Sequence, residues 1–169
     1  MNSRTLTLNA LSIALVAVAT LAIRLPVPAT QGYINLGDAF IFVTALLLGP
    51  RTGGLAGGFG SAMADLLGGY AHWAPSTLFI KGLEGILVGI LFRGYLGSGK
   101  AVFWASGAAC IGGIWMVCGY FLAESVLYGT APALAAVGPN LVQAGGSLLA
   151  GIPIAVALAK AGIGRNHGN

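Results

Sequence analysis

Residues 70–91 read YAHWAPSTLFIKGLEGILVGIL, a segment apolar enough to lie in a bilayer that nonetheless carries Lys81 and Glu84 in its interior. Ionisable groups are costly in hydrocarbon, so they pair with one another, face a cavity or mark a ligand or ion path. This segment therefore restricts the chain to folds that bring other helices around a charged spot inside a membrane. The composition agrees: 57% of the 169 residues are hydrophobic, 7% are charged and the mean hydropathy is +0.89. Soluble domains carry about 25% charged residues. At about 20 apolar residues per span, the length suits six helices. The expected fold is an all-α integral membrane protein, a six-transmembrane-helix bundle forming a single membrane domain over 1–169.

Apolar runs and their breakers predict helices over 6–23, 36–48, 52–69, 76–92, 101–127 and 140–161. Pro26, Pro28 and Gly32 make 24–35 an ordered surface loop, and Gly49, Pro50 and Arg51 a tight turn. Pro75 and Ser76 both suit a helix start. The stretch 128–138 reads as a loop that leads through Pro139 into the last helix, which Pro153 kinks. Small residues allow close approach of membrane helices, and they recur as Ala10 with Ala14 and as the overlapping pairs Gly53 with Gly57 and Gly54 with Gly58. Cys110 and Cys118 lack CxxC spacing and are expected to be packing residues.

Topology follows from the basic residues. With an even number of spans, one side holds Arg4, Arg51, Arg93, Lys100, Lys160 and Arg165, whereas the loops of the other hold Arg24. The positive-inside rule then places both termini in the cytoplasm. The loops 24–35, 70–75 and 128–138 face outward. At 1.5 Å per residue, Lys81 lies about 9 Å and Glu84 about 13 Å below the outer start of their helix. Tyr120, Glu124, Asn140, Gln143, Asp65 and Asp38 also fall toward outer helix ends. All four acidic residues thus occupy the outer half, and the cytoplasmic half is almost purely apolar. A proton or ion path needs polar groups at several depths, so this distribution predicts a one-sided cavity open to the outside.

Each of these residues also has a plainer reading. Lys81 and Glu84, three apart on one helical face, could be an ion pair that locks two helices. Asp38 and Asp65 could cap helix ends. Tyr70, His72 and Trp73 could be anchors at the headgroup level. His72 has no second His or Cys nearby, which disfavours a metal site. The sequence contains no GxSxG, HExxH or GxxxxGK[ST] motif, so neither an enzyme nor a nucleotide-hydrolysing subunit is expected.

With these residues in hand, the chain resembles the S components of energy-coupling factor (ECF) transporters, the small membrane subunits that capture vitamins in bacteria and archaea. The likeness spans nearly the whole chain. It rests on the Ala10-xxx-Ala14 pair, YINLGD over 33–38, GPRTGGLAGGFG over 49–60 followed by 61–65, and WAPSTLFIKGLEG over 73–85. The nearest branch is the riboflavin type, with short members associated with hydroxymethylpyrimidine and pyridoxine-like substrates. The resemblance implies capture of such a compound from outside. Lys81, Glu84, Tyr120, Glu124, Asn140 and Gln143 would form the cavity wall, with Tyr70, His72 and Trp73 beside it and Asn35 in the lid. It also implies docking through Ala10 and Ala14 on a membrane T component, and delivery powered by two cytoplasmic ATPases. ATP would be used by those partners, with no cofactor in this chain. The localisation implied is the cell membrane of a prokaryote.

The alternative is a self-sufficient small secondary transporter or channel acting as an oligomer. The docking assignment separates them: Ala10→Leu or Ala14→Leu should abolish uptake in cells while leaving ligand affinity intact, because bulk at a close helix contact separates the backbones. Unchanged uptake in both variants would remove the docking role.

Overall fold

The computed structural model describes residues 2–93 and 98–163. Arg165 and part of the basic loop expected over 93–100 lie outside the described residues. Helix α1 (Ser3–Ala22) opens the chain, with Asn2 capping it through a bond from Arg4 N to Asn2 Oδ1 at 2.7 Å. A β-hairpin follows, β1 (Arg24–Val27) and β2 (Gly32–Asn35), paired antiparallel with Arg24 opposite Asn35 and Val27 opposite Gly32. The stretch expected as an ordered loop is therefore strand-paired. Pro28 begins its four-residue turn, and Gln31 takes a positive φ of 51°. Next come α2 (Gly37–Leu48), α3 (Pro50–Leu55), a five-residue π-helical segment (Ala56–Gly60) and α4 (Ser61–Gly68). Leu55, Ala56, Gly60 and Ser61 all keep right-handed helical dihedrals, so 50–68 is one continuous rod with a wider turn in its middle. The chain closes with α5 (Ala74–Phe92), α6 (Ala101–Tyr128) and α7 (Thr130–Lys160).

Among the described residues, α1, α5, α6 and α7 are long and apolar enough to cross a membrane, and α2 is a shorter apolar helix of 12 residues. The outward faces carry Phe79, Val126 and Leu149, all at least 70% exposed. Such side chains suit hydrocarbon, not water. The principal apolar core joins α2, α5, α6 and α7 through Phe42, Leu46, Val88, Phe92, Ala109 and Ile152. It fills the half of the bundle expected to lack polar residues.

Three expectations are corrected. The loop foreseen over 128–138 shrinks to Gly129, whose φ of 90° makes the reversal, and the last helix starts at Thr130 instead of near 140. The alanine-rich run from Ala131 to Ala136 favours helix. Pro132 falls in the first turn, where amides lack intrahelical acceptors anyway. Pro139 is therefore inside α7 and does not start it. The turn at 49–51 likewise reduces to Gly49 (φ 87°), because Pro50 takes the first position of α3. Finally, Cys110 and Cys118 are exposed on α6 and pack no core. An apolar thiol is compatible with a hydrocarbon-facing position.

The glycines of the 50–68 rod set how closely it meets α5. A Cβ on Gly53 would stand 2.6 Å from Ala45 Cβ and 2.9 Å from Gly85 O, and one on Gly58 would stand 2.9 Å from Leu78 O. One on Gly85 would overlap Gly53 O. Backbone thus touches backbone where the two helices cross, which fixes the depth of Lys81 and Glu84 on α5. Overpacking of this kind costs about 1–3 kcal/mol. Gly85→Ala should accordingly lower the thermal unfolding temperature of the detergent-solubilised chain by several degrees. Gly107→Ala, which meets nothing within 4 Å inside α6, should not lower it and should raise it slightly, because alanine is the better helix former.

Candidate functional site: a buried polar cavity beneath the hairpin

At the hairpin end of the bundle, three helices converge on one ammonium group. Lys81 of α5 is 2% exposed, and its Nζ is ion-paired with Asp38 Oδ1 of α2 and lies 3.4 Å from Glu84 Oε2. Asp38 and Glu84 are fully buried. Nζ also sits 5.4 Å from the centre of the Tyr120 ring of α6, a cation–π contact. The helical spacing anticipated a pairing of Lys81 with Glu84. The structure places Lys81 between two carboxylates instead, with Asp38 the nearer.

Gln143 of α7 extends the network to the hairpin. Its Nε2 donates to Asp38 Oδ2 at 2.8 Å, and its Oε1 accepts from the backbone N of Asn35 at 2.8 Å. Asn35 Oδ1 in turn accepts from Gly37 N at 2.7 Å, closing a side-chain turn onto the first amide of α2. A second tie holds the hairpin from the other side. Tyr33 OH donates to Asp65 Oδ1 at 2.7 Å, the Tyr33 ring lies 4.6 Å from that of Tyr70, and Arg24 Nη1 donates to Gly68 O at 3.1 Å. Burial, and then the charge of Asp65, hold the Tyr33 phenol well above the usual tyrosine range, so it stays a proton donor at any physiological pH.

Between these two ties lies a narrow cavity of about 30 Å³. The hairpin contributes Thr30, Gly32, Tyr33 and Asn35; α4 contributes Asp65; Trp73 and α5 contribute Thr77 and Lys81; α6 contributes Tyr120 and Glu124; and α7 contributes Asn140 and Gln143. Trp73 is buried, with its ring 5.9 Å from both Tyr120 and Tyr128, and forms an aromatic wall. Thr77 Oγ1 and Tyr120 OH are 3.1 Å apart. Thr30 and Asn140 flank Glu124.

Of the residues singled out in the sequence, Asn35, Trp73, Lys81, Tyr120, Glu124, Asn140 and Gln143 line this cavity. Glu84 sits behind Lys81 and off the wall. Tyr70 packs on the outer side of Tyr33, and His72 is exposed beside the Trp73 ring at 5.7 Å. Tyr33, Thr30 and Thr77 are not among the candidates the sequence offers, and for Asp38 and Asp65 the sequence favours helix-end capping over a place in the site. One signal for Asp38 is present: a lone ammonium amid acidic residues in apolar segments carries three N–H donors, more than the single carboxylate of Glu84 satisfies. Ala10 and Ala14 are both exposed on α1, while the adjacent Asn9 is buried and accepts from Thr52 Oγ1 at 2.9 Å.

Comparison with known proteins bears on what such a cavity serves. The family model described as "ECF-type riboflavin transporter, S component" matches residues 1–160. The chain belongs to this S-component family. Among relatives of this S component, a Pyrococcus woesei protein described as "uncharacterized protein in gap 3'region" is 44% identical over 136 residues, which is 80% of this chain and 88% of the relative. The thiamine precursor transporter HmpT of Lactococcus lactis subsp. cremoris (strain MG1363) is 30% identical over 143 residues, 84% of this chain and 80% of that protein. The S component is thus a prokaryotic membrane protein of a vitamin-transporter family.

The Asp38–Lys81–Glu84 cluster predicts an asymmetric response to mutation. Removing one partner of a buried ion pair leaves an uncompensated charge and costs about 3–5 kcal/mol. Lys81→Met should therefore lower the unfolding temperature sharply. Adding Asp38→Asn to the same chain should recover part of the loss, which a thermal-unfolding double-mutant cycle would read directly.

Proposed function

We propose that this S component is the substrate-capture subunit of an ECF-type importer. It spans the membrane six times, α2 and the 50–68 rod completing the set begun by α1, α5, α6 and α7. It takes a small vitamin or vitamin precursor, of hydroxymethylpyrimidine size or kind, from the outer face. Delivery goes through a membrane T component driven by two cytoplasmic ATPases, with Ala10 and Ala14 on the docking face and both termini in the cytoplasm. The observation that carries this reading is the buried polar cavity under the hairpin, walled by Trp73 and Tyr120 and fringed by carboxylates and amides. Aromatic walls with a few convergent polar groups suit a flat heteroaromatic ligand that stacks and hydrogen-bonds. The hairpin supports a lid role, because Asn35 and Tyr33 each tie it to the cavity through a single side-chain partner.

The test is a tryptophan-fluorescence titration of the purified chain in detergent, since Trp73 lies in the cavity wall. Saturable quenching by hydroxymethylpyrimidine, riboflavin or pyridoxine at submicromolar concentration, without ATP or partners, is expected; that affinity corresponds to more than about 8 kcal/mol of binding free energy. Uptake into vesicles should require the coupling subunits. Transport by this chain alone would point to the self-sufficient carrier instead.

A further inference from the structure

At the end of the bundle opposite the hairpin, α6 and α7 do not close on each other. Between them lies an apolar groove of about 410 Å³, against about 30 Å³ for the polar cavity. Among the described residues, Leu46, Leu47, Phe92, Ala105 and Ala155 form its buried floor, with Val102 and Ala159 at its sides. Both helices present alanine to the groove, at 101 and 105 and at 155 and 159, and a methyl group is too short to fill it. Packed interiors hold few voids larger than a water molecule, so a recess of this size is left for another molecule.

Charge, depth and size together identify that molecule. Lys160 stands in the groove's wall, and Lys100 lies between Gly99 and Ala101, which also line it; both lysines are exposed. No carboxylate faces them. Asp38 and Glu84, on the helices that supply Leu46 and Phe92, each lie eight residues, or about 12 Å, deeper and are engaged with Lys81. Asp65 and Glu124 line the polar cavity at the other end. The groove's mouth is therefore basic without an internal counter-charge. Directly after Val102, Phe103 and Trp104 are 71% and 39% exposed at the start of α6, and such aromatic side chains collect at the headgroup level of a membrane. A single turn of helix, about 10 Å wide and 5.4 Å long, would fill the groove, so a partner's membrane helix does not fit where one hydrocarbon chain does. Basic pockets between membrane helices hold anionic lipid headgroups.

We propose that this groove seats one hydrocarbon chain of an anionic phospholipid, whose phosphate is held at the mouth by Lys100 and Lys160. The lipid completes the apolar core between the ends of α6 and α7.

The experiment is native mass spectrometry of the purified full chain, released from detergent with equimolar phosphatidylglycerol and phosphatidylcholine of identical acyl chains. The singly lipidated species should carry phosphatidylglycerol about tenfold more often. Lys100→Gln combined with Lys160→Gln should bring the two lipids within about twofold of each other. Ala159→Leu, which fills the groove, should weaken both by about tenfold without lowering the unfolding temperature in lipid-free detergent. Glycerol phosphate, a headgroup without its chains, should not compete. Equal capture of the two lipids by the unaltered chain overturns the proposal, as does an undiminished preference in the double lysine variant. Full lipid binding by folded Ala159→Leu removes the groove as the seat, and competition by glycerol phosphate makes this a site for a soluble anion instead. The groove and the polar cavity lie at opposite ends of the bundle, so none of these outcomes bears on ligand capture.

Discussion

The structure depends on the neutralisation of Lys81 inside a bundle that is otherwise built to exclude charge. An isolated ammonium in that setting would be prohibitively costly, and one carboxylate would leave its remaining protons poorly matched. Asp38 and Glu84 answer it from two helices, the Tyr120 ring covers it from a third, and Gln143 fixes the free oxygen of Asp38 from a fourth. These contacts require α2, α5, α6 and α7 to meet at one depth. The glycine crossing between the 50–68 rod and α5 supplies that depth, because neither helix can slide where backbone lies against backbone.

The bundle is divided by this cluster. On one side lies an apolar core of Phe, Leu, Val and Ala side chains; on the other lies the polar cavity under the hairpin. Rigidity in the first allows accessibility in the second. The hairpin has only two strands, a form that has little stability on its own. It is held by the hydrogen bond from Tyr33 to Asp65, by the one that Asn35 N donates to Gln143 and by Arg24 on the end of α4.

Much of this was legible in the sequence, and the reasons for the rest are physical. The apolar runs of α1, α2, α5 and α6 and their breakers located those helices within a few residues. The one-sided placement of acidic residues foretold a cavity at one end. Pro139 misled, since a proline that starts helices in water can sit inside one where the surrounding protein re-satisfies its neighbours. The exposed cysteines misled because burial in a membrane protein is judged against lipid, and an outward position is as apolar as an inward one. Asp38 with Lys81 and Tyr33 with Asp65 are separated by 43 and 32 residues. Their encounter depends on how helices are rotated against each other and on a hairpin folding back, neither of which has a periodic signature.

The π-helical segment at 56–60 decides where along this rod the chain can change length. A wider turn of this kind accommodates one residue more than an α-helical turn, and everything beyond it is rotated by about 100° relative to an unbroken helix. Asp65 lies beyond it, facing Tyr33 because of that offset. Loss of a single residue between Ala56 and Gly60 would let the rod relax to ordinary α-helix and leave Asp65 facing Tyr33, because the missing residue and the lost wide turn offset each other; loss of one residue between Ser61 and Asp65, with the wide turn kept, would swing Asp65 away by about 100°. Within such a rod, a one-residue deletion beyond the wide turn acts as a dial on the site, whereas the wide turn itself is a spare residue the helix can lose without changing what the cavity presents.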